Sequence, residues 1–363
     1  MRKQSNLEAF VKHARGTLKV LDPTSDPFFH EKTNTIHVPG DTDFISEAIA
    51  KLDKDGRVLI SPGKYNENIN IQPGTHIIIQ ADNPKHSQLY AADPKLPVIH
   101  VAPEAQLTLI GASIHGTKSG IVLGSGRPQE TARGVTLFNS IVTDAEYGIY
   151  GFVKQIHIER CSVEHNVYGL ALAGSTSLTD TIIVANLFNA LISGGKELSC
   201  SLAGYHDSPH QVLVQNVAIM YGLKGGLAIC NVASAEIKNV YISKNACFGV
   251  QIRNTPDFTI SESSVNETFS VNDGCFGDGL FAENSDGSVK NNQFCANKRA
   301  NIAYFDSGGT IDHNLIIYAT FAINLDGASG PVITDNTLIG NKENKVTYSG
   351  PICPAPMPEL PTL

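Results

Sequence analysis

Residues 235–242, AEIKNVYI, and 309–316, GTIDHNLI, decide the fold. Each carries an apolar residue at its third position and another five places later, Ile237 with Ile242 and Ile311 with Ile316, with small or polar residues between. The same window recurs along the chain, for example as VTLFNSIV at 135–142 and IHIERCSV at 156–163. Its first anchor column reads Leu109, Leu137, Ile158, Ile183, Val214, Ile237, Ile260, Val289, Ile311 and Ile333. Its second reads Ile114, Val142, Val163, Phe188, Ile219, Ile242, Val265, Phe294, Ile316 and Leu338. β-branched residues in near-alternation argue strand, and a helical period is absent.

Successive first anchors lie 28, 21, 25, 31, 23, 23, 29, 22 and 22 residues apart. The floor near 21 is the length of a minimal coil, and the excesses are insertions. A second strand follows each window and opens on a small residue, as in GIVL at 120–123, GLAI at 226–229 and GVQI at 249–252. This predicts an all-β, right-handed, single-stranded parallel β-helix over residues 57–348. Asn139, Asn216, Asn239 and Asn291 share one column, and Asn186, Asn292, Asn314 and Asn336 the next. Coils about 4.8 Å apart bring such side chains into ladders, so these Asn are structural.

Residues 1–56 form the expected N-terminal segment, with a capping helix over DTDFISEAIAKLDKDG (41–56), started at Asp41 or Thr42 and ended before Gly56. Residues 349–363 carry five prolines and are expected to form an extended tail. The second strands hold an unusual outward column: Val122, Tyr150, Ala171, Ile192, Ala228, Gln251, Phe281, Ala303 and Asn324. An apolar outer stripe predicts a cover, supplied by the tail, the N-terminal segment or a second copy in a homo-oligomer.

The net charge is −8, and no Lys/Arg cluster marks a nucleic-acid or membrane surface. The opening MRKQSNLEAFVKHARG has no apolar signal-peptide stretch, which places the chain in the cytoplasm as written, or outside it had a leader been trimmed. Seven cysteines without metal-ligand spacing read as buried thiols.

The helix, GRVLISPGKYNENINI (56–71) and the repeated windows resemble the pectin-lyase-like β-helix superfamily over residues 36–348. The resemblance implies polysaccharide lyases, polygalacturonases, methylesterases or uronan epimerases, and fold alone does not choose among them. The motifs of polygalacturonases and of pectin methylesterases are absent. Tyr205-His206-Asp207-Ser208-Pro209-His210 is similar to the Tyr-Gly-Phe-Asp-Pro-His of mannuronan-type C5-epimerases, with Ser208 inserted and the Gly-Phe pair missing.

Function on such a rack is expected on the insertions. GSGRPQETARG (124–134) and SGGKELSCSLAGYHDSPHQ (193–211) both follow the second strand, and NETFSVNDGCFGDG (266–279) leaves another corner. Uronate chemistry needs a base, a cation for the carboxylate and an acid. His210, His206 and Tyr205 are the candidate base and acid, with Asp207 orienting an imidazole. Arg127, Arg133, Lys196 and Glu130 are the candidate substrate-binding residues. The expected activity is therefore a lyase or C5-epimerase acting on a uronate-containing poly- or oligosaccharide. A non-catalytic binding or assembly module is one alternative, and a hydrolase using Glu130 and Asp207 is another. No cofactor is implied, apart from Ca²⁺ as a weak reading of Asp273 and Asp278. Asp312-His313 reads as an Asn-ladder turn.

Overall fold

The computed structural model describes residues 34–194, 198, 208–271 and 276–347. The chain winds as a right-handed parallel β-helix. Two compact units divide it, residues 34–170 with 179–182 in one and residues 171–178 with 183–347 in the other.

Each coil holds three strands, because a left-handed residue cuts every sequence window in two. In the first unit, the leading strand Gly134–Phe138 ends at Asn139 (φ 48°), and the short strand Ile141–Thr143 follows. In the second unit, Ser234–Lys238 ends at Asn239 (φ 50°) before Tyr241–Ser243. Asn tolerates this conformation better than most side chains, although Arg160, Glu262, His313 and Asp335 also adopt it. The third, closing strand completes the coil, for instance Ser119–Leu123 or Phe248–Arg253.

Register follows the anchor columns. In the first unit Leu109, Leu137 and Ile158 are paired in line, as are Ile114, Val142 and Val163. In the second, Val214, Ile237, Ile260, Val289, Ile311 and Ile333 stack, and so do Ile219, Ile242, Val265, Phe294, Ile316 and Leu338. Leu137, Ile158, Ile237 and Ile311 are fully buried.

One window is out of register. Ile183 lies on the short strand Ile182–Val184, beside Ala218–Met220, and Phe188 opens a closing strand paired to Gly225. The buried Leu178 occupies the leading position, on Tyr168–Thr179, which pairs with Gln211–Gln215. The sequence hid this coil because Ile183 and Phe188, apolar and five residues apart, mimic an anchor pair.

The Asn ladder is a relay of backbone caps. Ser263 N–H donates to Asn292 Oδ1, Asn292 N–H to Asn314 Oδ1, and Asn314 N–H to Asn336 Oδ1, each at 2.9 Å. The amide nitrogens of Asn292, Asn314 and Asn336 donate to the carbonyls of Ile260, Val289 and Ile311. Asn186 is not part of it and donates to Asn189. A second ladder at the next corner was missed in the sequence: Asn245, Asn297 and Asn341 cap Gly222, Thr268 and Ala319. Glycine opens the closing strand because the coils meet there; a Cβ on Gly226 would lie 2.3 Å from the Gly249 carbonyl oxygen.

The helix is shorter than expected, Ile45–Lys51, and sits within the first coil. Thr35–Val38 precedes it as a strand paired to Asp55–Ile60, so Gly56 is strand rather than helix end. Neither Asp41 nor Thr42 caps it. The Glu67 carboxylate does, accepting from Ile45 N–H at 2.8 Å, Ser46 N–H at 2.9 Å and the Ser46 hydroxyl at 2.6 Å. Ile45, Ala48 and Ile49 are buried against the first coils. Among the described residues, no helix is long and apolar enough to cross a membrane.

The outward column of the closing strands is buried. In the second unit it reads Leu191, Ala228, Gln251, Phe281, Ala303 and Asn324, with Leu191 where the sequence reading had Ile192. None of its members is more than 5% exposed. In the first unit Val122 and Tyr150 are equally buried. The tail and most of the N-terminal segment lie outside the described residues.

Two ion pairs are buried in the second unit. Arg253 Nε lies 2.8 Å from Glu283 Oε2. Arg299 embraces Asp278 with Nε and Nη2, and Asp278 also accepts from Ala300 N–H. Burial pushes the Asp278 carboxyl above the usual range, against the pull of Arg299.

Asn314→Ala removes a relay member and strands the Asn292 N–H and the Val289 carbonyl. It should cost about 2–4 kcal/mol, seen as a lower thermal midpoint by circular dichroism. Arg299→Ala leaves Asp278 buried without its counter-charge and should cost about 3–5 kcal/mol. In the double variant Asp278→Ala/Arg299→Ala most of that loss should be recovered, as a double-mutant cycle would show.

Candidate functional site

His210 sits just ahead of the leading strand Gln211–Gln215, at the return of the longest insertion. Its backbone is held on both sides. Its N–H donates to Ser208 Oγ at 3.3 Å, and its carbonyl accepts from Ala233 N–H at 2.8 Å. Ser208 Oγ in turn donates to the Gly194 carbonyl, so the two ends of the insertion are tied together. The imidazole Nδ1 lies 3.2 Å from Ser175 Oγ, and no described residue engages Nε2. Half-burial lowers the His210 pKa below the ordinary value of 6.5. The ring is therefore neutral at pH 7, and a neutral imidazole can accept a proton. Ser175 was not singled out in the sequence, since contact across coils has no local signature.

Lys196, Tyr205, His206 and Asp207 lie outside the described residues, as does Asp273. Of the two carboxylates in the weak calcium reading, Asp278 is bonded to Arg299 and to Ala300 N–H.

In the first unit, the 124–134 insertion is a compact turn in which Ser125 N–H donates to the Glu130 carbonyl and Glu130 N–H to that of Arg127. The Glu130 carboxylate accepts from Ser125 Oγ and lies 3.7 Å from Arg127 Nη1. Arg127 is 76% exposed, so this pair contributes little stability. Arg133 is exposed, and its charge adds to the burial that lowers the His76 pKa. His100, on the outward column beside Val122, bridges Asn70 Oδ1 and the Gly124 carbonyl at the root of this insertion.

Two further groupings are polar. A cavity of about 200 Å³ at the first coils is lined by His37, Ser61, Asp82 and the buried Arg57 and Gln80. On the second unit, Asp312, His313 and Asp335 bring possible ligand atoms within 4.8 Å of one another. Partial burial of Asp312 works to raise its carboxyl, but hydrogen bonds from Thr334, His313 and Lys290 hold it below the usual range. The exposed turn makes this an ion-pair network like that of His157, Glu159 and Arg160 in the first unit.

A family model described as a right handed beta helix region matches residues 199–338. No curated protein matches the sequence. Among solved structures, the chain is similar to the A-module of the Azotobacter vinelandii mannuronan C-5 epimerase AlgE4. The identity is 13% and the TM-score 0.61, over 81% of this chain and 89% of that one. The AlgE6 A-module of the same organism gives 13% identity and a TM-score of 0.56, over 85% and 91%. The catalytic unit of a GH87 alpha-1,3-glucanase from Streptomyces thermodiastaticus gives 12% and 0.58, over 92% and 73%. At such identities the likeness concerns the fold. With the coil geometry, the matched repeats and these neighbours in agreement, the chain has the right-handed parallel β-helix fold.

Proposed function

We propose that this chain is a carbohydrate-active β-helix enzyme that works on uronate-containing poly- or oligosaccharides by proton abstraction, as a C5-epimerase or a lyase. The observation that carries the reading is His210, a half-buried, neutral imidazole with a fixed backbone and an Nε2 that no described residue engages, at the return of the longest insertion. The structural neighbours, two epimerases and a glucanase, support a carbohydrate substrate.

Nε2 of His210 takes the C5 proton next to the sugar carboxylate. Lys196, in the same insertion, neutralises that carboxylate and the enolate-like charge that develops. Tyr205 or His206 returns a proton, to the opposite ring face for epimerisation or to the leaving oxygen for elimination. Asp207 orients an imidazole. The hydrolase reading is less well supported, because Glu130 is committed to Ser125 and Arg127. A binding module built on the apolar column loses its open surface, because that column is buried.

His210→Gln should lower turnover of oligouronides about 10²–10⁴-fold, read as unsaturated product by ultraviolet absorbance or as C5 proton exchange by NMR. Undiminished turnover in a folded variant overturns the assignment. The acid limb of kcat/KM should lie below the ordinary histidine value, because the base stays neutral to lower pH. The same shift has a stability consequence of defined sign. Unfolded His210 protonates first, so the contribution of the neutral ring is complete above pH 6.5. It drains as pH falls from there through the folded-state pKa. Denaturant midpoints should show this acid loss in the native chain and less of it in His210→Gln.

A further inference from the structure

We propose that Ser175 is the positioning residue of this site: its hydroxyl oxygen accepts a hydrogen bond from Nδ1–H of His210, holds the neutral ring in that tautomer and leaves the Nε2 lone pair to take a proton. The inference rests on the reading of His210 as the base.

Ser175 lies on the strand Tyr168–Thr179, which pairs with Gln211–Gln215, the strand that His210 leads into. Its Oγ is 3.2 Å from His210 Nδ1. Gln211 N–H donates to the same oxygen at 3.4 Å. One hydroxyl therefore meets both the ring of His210 and the main chain that follows it. Its neighbours in the chain are fixed. Gly174 holds φ at 144°, a conformation open chiefly to glycine. Thr176 is buried and donates from Oγ1 to the Gly174 carbonyl. A group carried on a strand keeps its geometry better than one carried on a loop.

A neutral imidazole carries one N–H and one bare nitrogen. Its proton can sit on Nδ1, facing Ser175 Oγ, or on Nε2, which no described residue engages. On Nε2 it would be a donor without an acceptor among the described residues, and partial burial makes that costly. On Nδ1 the one obligatory donor is satisfied, and the nitrogen left over is a lone pair. Nothing else described competes for Nδ1. The Ser208 hydroxyl is committed to the backbone, donating to the Gly194 carbonyl and accepting from His210 N–H. Cys230, whose carbonyl accepts from Gly194 N–H, offers no thiol to the site, because it is disulfide-bonded. That corrects the reading of all seven cysteines as buried thiols.

The tautomer decides what the ring can do. With the proton on Nδ1, the C5–H bond breaks, its electron pair stays on the sugar as the enolate-like charge, and the proton goes to Nε2. Nδ1–H keeps its bond to Ser175 Oγ throughout, so nothing turns during the transfer. Were Ser175 the donor to Nδ1, Nε2 would already hold the proton and the ring would serve only as an acid at that atom. A hydroxyl also sets the tautomer without adding charge. A carboxylate in its place would favour the protonated ring. Burial alone acts on the His210 pKa here, and it acts downward.

Long-range nitrogen–proton correlation NMR of the full-length chain, with ¹⁵N-labelled histidine at about pH 8, separates a protonated ring nitrogen from a bare one. The His210 signals are those missing from His210→Gln. Nε2 should be the bare nitrogen in the native chain. Ser175→Ala should move the ring toward Nε2–H, and Ser175→Thr, which keeps the hydroxyl, should restore Nδ1–H. Ser175→Ala should also lower kcat on oligouronides about tenfold with KM little changed, a smaller loss than that of His210→Gln. A native ring protonated on Nε2, or a tautomer that Ser175→Ala leaves unchanged, overturns the proposal. Covalent labelling of Ser175 by a fluorophosphonate does so too, since its Oγ would then be a nucleophile giving its proton to Nδ1. The native spectrum decides the matter even where Ser175→Ala fails to fold. The two readings fail separately. Full turnover in His210→Gln removes the base and leaves the tautomer to the spectrum. The wrong tautomer beside an inactive His210→Gln removes Ser175 and keeps His210 in the reaction.

Discussion

In-register contact between like positions on successive coils is the constraint on which everything else depends. A parallel coil cannot satisfy its turns internally, because each corner leaves backbone N–H groups pointing along the axis. The next coil supplies the acceptor: Asn292 receives the N–H of Ser263, Asn314 that of Asn292, and Asn336 that of Asn314. Serine does the same at a third corner, where Ser285, Ser307 and Ser329 cap Thr255, Ser285 and Ser307. Apolar columns beneath these caps then stack without choice, since a shift of one residue would turn every anchor outward.

Stacking explains why most of the fold was legible and where legibility ended. An anchor such as Ile237 or Ile311 repeats because its neighbours above and below are of its own kind, so one column of letters displays the contact map. The reading slipped at Ile183 because Ile183 and Phe188 have the spacing of an anchor pair, while the true leading position, Leu178, lies at the end of the strand Tyr168–Thr179. The helix start was misread for a different reason. Asp41 and Thr42 are good local caps, but Glu67, twenty-odd residues downstream, reaches the helix first. Local propensity cannot see a cap that the winding delivers.

The candidate site was legible only in part. His210 stands out in sequence for its company, and its value as a base rests on burial and on Ser175, neither of which is written locally. Arg127 and Glu130 were candidate substrate-binding residues and are paired within their own turn. The Asp278 carboxylate looked available to a cation and is the counter-charge of Arg299. In each case spacing identified reactive groups, while partner choice depended on which coil lies next to which.

The corners of the coil are not equally open to evolutionary change. Between leading and short strands the chain turns through a single left-handed residue whose neighbours are amide-capped from the adjacent coil, and one added residue there would break two coils at once. The corners on either side of the closing strand are also capped from the next coil, by Asn245, Asn297 and Asn341 before it and by Ser285, Ser307 and Ser329 after it, yet the sequence carries its extra residues there, at 124–134, 194–210 and 267–277. The scaffold thus confines novelty to two rims of its cross-section. A designer grafting a foreign loop onto this chain would do best at Gly194, where the backbone is already held open by hydrogen bonds to Ser208 and Cys230.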